Sequence, residues 1–253
     1  MRRTLRVGGI LALLTLGLIG GVLLYFQFGL DGGSGQMWRL RTWFADPAAH
    51  SDWQLTGGER CPGAPMLLPT DGYVGFERGD SFRPGHTHSG FDIFSPDGEV
   101  NLTPIYAAYD GYLIREADWR STVILRHEDF PGLGALEAAP ALDAPLPGDQ
   151  IWTYYTHMAS ADGETSFVSE AFPPGTYNLF VAAGTLLGYQ GNWSGTPSRP
   201  TGLHLHFSVV KSTQTGGYAN ETDAANTYDP GAFLGLVQGE DGVWRCGGSG
   251  GEE

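Results

Sequence analysis

Short runs in which apolar and polar residues alternate fill the chain from about residue 59 onward. "GFDIF", "PIYAAYDGYLIREA", "STVILRHE", "IWTYYTHM", "TLLGYQG" and "LHLHFSVV" are rich in β-branched and aromatic residues, and turn sequences such as "SPDG" and "PPG" separate them. A period of two in such residues predicts β-strands, and no sustained helical period or internal repeat competes with it here, so the fold class is mainly β. In "TGLHLHFSVV" the alternation sends Leu203, Leu205 and Phe207 to one face and pairs His204 with His206 on the other. Alone, that pair fits two surface histidines as well as two metal ligands. In "IWTYYTHM" the same rule groups Thr153, Tyr155 and His157 on one face, and Trp152, Tyr154 and Thr156 on the other. By itself His157 reads as readily as a structural histidine as a catalyst. Tyr155 fits a groove lining and a packing role equally.

The N-terminus has a different pattern. Arg2, Arg3 and Arg6 precede an uncharged run from Val7 to Leu30, long enough for a helix of about 36 Å and therefore for a bilayer crossing with some tilt. The charge asymmetry places residues 1–6 in the cytoplasm and the remainder outside. A cleaved signal peptide is the rival, but the apolar run is long for one and no A-x-A-like site follows it. The expectation is therefore a single-pass membrane anchor over 7–30, a tether over 31–58, a folded domain over 59–238 and a flexible tail over 239–253.

Composition narrows the partners. Asp and Glu number 28 against 14 Lys and Arg, a net charge of −14, which repels phosphate backbones and argues against nucleic acid. Cys61 and Cys246 are the only cysteines; in an exported protein such a pair suggests a disulfide near the ends of the domain, with two unpaired thiols as the alternative. Phe130–Gln150 and Ala159–Asn178 are long for connections inside a compact domain and read as rim loops.

A second histidine cluster lies in "GHTHSGFDIF". His88 and Asp92 are four apart, on the same side of an extended chain; Pro84, Gly85 and Gly90 disfavour a helix. Gly90 would lie between the two and leave room for a metal and its water. His86 precedes His88 by two and reads as a rim or substrate contact, His127 in "LRHED" reads as structural, and His50 carries no signal.

The order of these motifs is more specific than any one of them. His88-x-x-x-Asp92, "PIYAAYDGYLIR", "YYTHM", "VAAGTLLGYQGNWSGT", "GLHLHF" and "YDPGAFL" together resemble the lysostaphin-type (LytM-like) zinc metallopeptidases of bacterial peptidoglycan, from about Pro84 to Leu234. The two insertions and the long spacer before "YYTHM" depart from that family's pattern. The resemblance implies an antiparallel sandwich or groove-type β-sheet peptidase domain with long rim loops. It implies one catalytic Zn2+ on His88, Asp92 and His206, and His204 and His157 as general acid and base around an activated water, with their roles undivided. It implies peptidoglycan peptide as substrate. The scissile bond and the oligomeric state stay open. Some members of the family have lost ligands and act as regulators or binding modules for other wall hydrolases, which is the alternative reading. A D-Ala-D-Ala-type zinc carboxypeptidase would need wider His–Asp spacing than "HSGFD", and a structural zinc site a fourth ligand.

Overall fold

The computed structural model describes residues 33–81, 85–131 and 150–248. The larger of its two units begins at Trp43 and contains every strand and the whole candidate site. Its strands are β1 (Tyr73–Phe76), β2 (Phe91–Phe94), β3 (Pro104–Tyr106), β4 (Gly111–Ile114), β5 (Val123–His127), β6 (Ile151–Thr156), β7 (Leu179–Val181), β8 (Leu186–Tyr189), β9 (His204–Lys211), β10 (Thr227–Tyr228), β11 (Leu236–Gln238) and β12 (Trp244–Cys246). Helix α1 covers Gly33–Ala45 and a short α2 Pro230–Leu234.

Among the described residues all strand pairings are antiparallel. The main sheet runs β1-β2-β9-β6-β5-β4-β7, with β10 also on β9; β3 pairs with β8 and β11 with β12. At the centre, β9 has seven of its eight residues buried. Alternation explains how both of its faces are covered. Leu205, Phe207 and Val209 enter the main core with Phe91, Ile93, Leu125 and Tyr155. The opposite face carries His204, His206 and Ser208 toward β2, and Val210 into a smaller cluster with Ile114, Ile124 and Trp152. Burial of each such large apolar side chain stabilises the fold by about 1.5–3 kcal/mol before entropy is counted. One sheet therefore has a largely apolar face, on which the bonded pair His127–Thr153 is buried, and a face shared between a hydrophobic patch and a polar cleft.

Three segments differ from the sequence expectation. Within the expected tether 31–58, the stretch from Trp43 onward is part of the domain: Trp43 is fully buried, its indole N–H donates to the Ser95 carbonyl, and both Trp43 and Trp53 pack on Tyr73. Aromatic area draws this stretch onto the sheet edge. The expected flexible tail begins with an ordered hairpin, because β12 pairs with β11 and Cys246 is disulfide-bonded to Cys61 with Cα atoms 5.2 Å apart. The segment 159–178 is no free rim loop either; Phe167, Val168 and Phe172 are core residues. Among the described residues no helix is long and apolar enough to cross a membrane. The expected anchor over 7–30, its basic lead 1–6 and most of the insertion 130–150 lie outside the described residues.

Candidate metal centre

The β2–β9 register assembles the centre. Asp92 stands opposite His206 and Phe94 opposite His204; on the other side of β9, Thr156 of β6 stands opposite His206. His88 lies just before β2, where its N–H donates to the Asp80 carbonyl and its own carbonyl accepts from Gly79. These contacts aim its ring back over the strand. His88 Nε2 is 3.0 Å from Asp92 Oδ1 and 2.9 Å from His206 Nδ1, and His206 Nδ1 is 2.8 Å from the same carboxylate oxygen. His204 Nε2 lies 3.4 Å from Asp92 Oδ1. All four residues are buried.

His157 joins them by leaving its strand. Its φ is 74°, in the left-handed region, which turns its ring to the face opposite the one that alternation assigns. Its ring centroid is 4.5 Å from that of His204. Gly191 makes the turn feasible: a Cβ there would come within 2.4 Å of the His157 carbonyl and 2.3 Å of that of Ala159. Tyr155 consequently does not share the cleft with His157. It is fully buried against Phe207, and its hydroxyl accepts from the Ala108 N–H. Tyr154, Thr156 and His86 line the cavity of about 660 Å³ over the centre, with Ser194, Thr201 and Glu221 on its walls. No described part of 160–178 reaches it, so the expectation that this insertion walls the groove gives way to the 192–201 and 221–222 segments.

Gly90 does not open space for an ion. A Cβ at that position would lie 2.2 Å from the Phe207 carbonyl oxygen and 2.4 Å from Ser208 Oγ. The glycine lets β2 and β9 approach closely enough for Asp92 and His206 to meet.

Proton positions follow from the outer nitrogens. A carbonyl oxygen only accepts, so His88 Nδ1 donates to Glu77, His204 Nδ1 to Gly202 and His157 Nδ1 to Trp193. A proton so placed leaves Nε2 as the ring's remaining lone pair, turned toward the cleft. Burial disfavours charge on Asp92, yet when the neighbouring imidazoles carry a second proton the pull of His204 and hydrogen bonds from His204, His206 and His88 outweigh it and hold the carboxyl well below its ordinary range. Burial likewise opposes charge on His206, but hydrogen bonds to Asp92 and Glu221 push it up to about 9. Burial, then repulsion from His204 and His206, takes His157 down to about 3.

These donors fit a metal. Two imidazoles and one carboxylate within 4.8 Å of one another make a three-ligand set, the composition of catalytic zinc with a fourth position left open. Tetrahedral zinc with ordinary bond lengths sets its ligand atoms roughly 3.3 Å apart, and the three here need spread by only a few tenths of an ångström. Lone pairs this close require a positive centre among them. A proton on one imidazole relieves part of that repulsion, whereas a dication relieves all of it; the two compete for His206 Nδ1.

His127 lies away from the cleft, buried at the end of β5, bonded to the Asp110 carbonyl and to Thr153. His50 stacks on Trp53. The sequence reading missed Ser89, Ser208, Tyr154 and Glu221. Alternation on β9 could have found Ser208, two residues past His206; Glu221 sits in a polar loop with no periodic signal.

No family model matches the chain, and no curated protein matches it. Among solved structures, lysostaphin-type and LytM-like peptidase domains are similar to it. The catalytic domain of the antimicrobial peptidase lysostaphin from Staphylococcus simulans aligns over 63% of this chain and 89% of its own, at 18% identity and a TM-score of 0.37. LytU aligns over 72% and 93%, at 21% identity and a TM-score of 0.37. A chain of the SpoIIIAH and SpoIIQ complex aligns over 57% and 85%, at 14% identity and a TM-score of 0.32.

Proposed function

We propose that the protein is a zinc metalloendopeptidase that hydrolyses peptide bonds of peptidoglycan, held at the outer face of the bacterial membrane by residues 7–30. The observation that carries the reading is the convergence of His88 Nε2, Asp92 Oδ1 and His206 Nδ1 beside two further imidazoles, His204 and His157, whose Nδ1 atoms are held by backbone carbonyls. The motif series from His88 to "YDPGAFL" supports it independently.

His88, Asp92 and His206 would hold the ion, and two neutral ligands with one anion leave it a net charge of +1. Zinc bound there supplies Lewis acidity and lets water ionise near neutral pH. The remaining chemistry belongs to the chain. His204 and His157, with Nε2 lone pairs turned toward the cleft, accept a proton from attacking water and return one to the leaving amine. Their carbonyl-bonded Nδ1 atoms hold both rings in a single tautomer and orientation, so no reorganisation is needed during the step. An open cavity lined by extended segments suits a peptide strand lying across the site.

Incubation of the purified protein with peptidoglycan sacculi, with and without a chelator, tests the reading. Release of peptide fragments that stops on chelation and resumes on zinc addition is the expected result. Chelator-insensitive release, or no release from zinc-loaded protein, overturns it; the latter result favours the regulatory alternative.

A further inference from the structure

Of the four imidazoles gathered around Asp92, those of His88, His157 and His204 have their outer nitrogen fixed by a backbone carbonyl, and that of His206 does not. Its Nε2 faces two hydroxyls, Ser208 Oγ at 2.9 Å and Ser89 Oγ at 3.4 Å. A hydroxyl both donates and accepts, so neither serine alone decides where the imidazole proton sits. Behind Ser89 stands Glu221, whose Oε2 accepts the Ser89 hydroxyl at 2.8 Å and lies 3.7 Å from His206 Nε2 itself.

We infer that Glu221 is the positioning residue for the His206 ligand: by taking the Ser89 proton it makes Ser89 an acceptor, which keeps the imidazole proton on Nε2 and the Nδ1 lone pair free for the metal. The inference rests on the reading of His88, Asp92 and His206 as ligands. Ionised carboxylates accept hydrogen bonds and donate none, so Glu221 sets the direction of the Glu221–Ser89–His206 relay as a carbonyl does for the other rings. The carboxylate also lies on the side of the His206 ring away from the ligand nitrogen, where an anion raises a ligand's basicity. The loop that carries it, between β9 and β10, therefore has a function in the centre that its polar sequence does not announce.

The test is zinc affinity of the full chain, measured by competition with a chromophoric chelator, for wild type, Glu221→Gln and Ser89→Ala, alongside the melting temperature of each metal-free protein. Glu221→Gln keeps the side-chain shape and removes the charge; Ser89→Ala keeps the charge and breaks the relay. Both are expected to weaken zinc binding about 10–100-fold while metal-free melting falls by no more than ~3 °C, about 1 kcal/mol for a domain of this size. Wild-type affinity in both variants overturns the inference and leaves the metal reading intact. Weakened binding matched by a comparable loss of metal-free stability in both variants also overturns it, because the role is then structural. A wild-type chain that takes up no zinc overturns the inference and the metal reading together.

Discussion

Asp92 and His206 stand opposite each other across the antiparallel pair β2–β9, and their side chains meet at 2.8 Å. A pair so placed is set by strand register: a slip of one residue in either strand would send that strand's ligand to the apolar face and part the two. The ligand set and the sheet are therefore one structural decision. Replacing either residue by alanine is expected to reduce zinc affinity by more than the 10–100-fold loss typical of an outer-shell change. Equilibrium dialysis against zinc measures it, and affinity within tenfold of wild type in either variant would remove that residue from the ligand set.

His204 neighbours the same oxygen at 3.4 Å yet is read as acting on protons. His204→Ala is expected to keep one zinc per chain and to lose peptide cleavage by at least 10²-fold, in line with loss of a general acid or base. Zinc loss in this variant would exchange the roles of His204 and His206.

Gly90 makes the strand pairing possible. In Gly90→Ala the new methyl meets the Phe207 carbonyl oxygen at 2.2 Å and Ser208 Oγ at 2.4 Å, so β2 and β9 must part. A loss of about 1–3 kcal/mol in urea-induced unfolding is expected, with weaker zinc binding because Asp92 moves away from His206. Unchanged stability would mean that the strands tolerate separation and the close approach is incidental.

How far the sequence discloses this site depends on the kind of signal each residue leaves. Strand alternation discloses the two faces of β9, because Leu205 and Phe207 are as plainly apolar as His204 and His206 are polar. The same alternation misassigns Tyr155 and His157, since it assumes an unbroken strand and the backbone reverses hand at His157 without a glycine to mark it. Gly90 is visible but ambiguous: a missing Cβ leaves room for whatever lies opposite, here a neighbouring strand. Trp43 and Trp53 are hydrophobic enough for a membrane interface or a core, and only Tyr73, distant in sequence, decides between them. Glu221 shares a polar loop with Asp223 and is legible only through its distance to Ser89.

His127 supplies a pH signature away from the metal. Burial pulls it down to about 4 in the folded state, against 6.5 for the ordinary group. The unfolded chain therefore binds the extra proton first. The stability His127 contributes is complete above pH 6.5 and is lost as pH falls toward 4. Linkage gives a loss of about 2 kcal/mol between pH 7 and 5. His127→Gln is expected to flatten the urea-unfolding profile over that range by this amount relative to wild type. An identical slope in the two proteins would show that His127 titrates normally when folded.

The Cys61–Cys246 bond spans 185 residues and holds the β11–β12 hairpin to the start of the domain. Restriction of so long a loop in the unfolded chain stabilises the fold by up to about 5 kcal/mol. Cys246→Ser is expected to lower unfolding free energy by about 2–5 kcal/mol, and reductant to affect wild type but not the variant. A reductant-insensitive wild type would indicate that the bond does not form.

The central claim is that three side chains from two segments distant in sequence share one dication. Anomalous diffraction at the zinc absorption edge, from crystals grown with zinc, locates that ion directly. The account predicts one strong peak about 2.0–2.2 Å from His88 Nε2, an Asp92 carboxylate oxygen and His206 Nδ1. No peak in the cleft, or a peak bonded to His204 in place of one of those three, would contradict it.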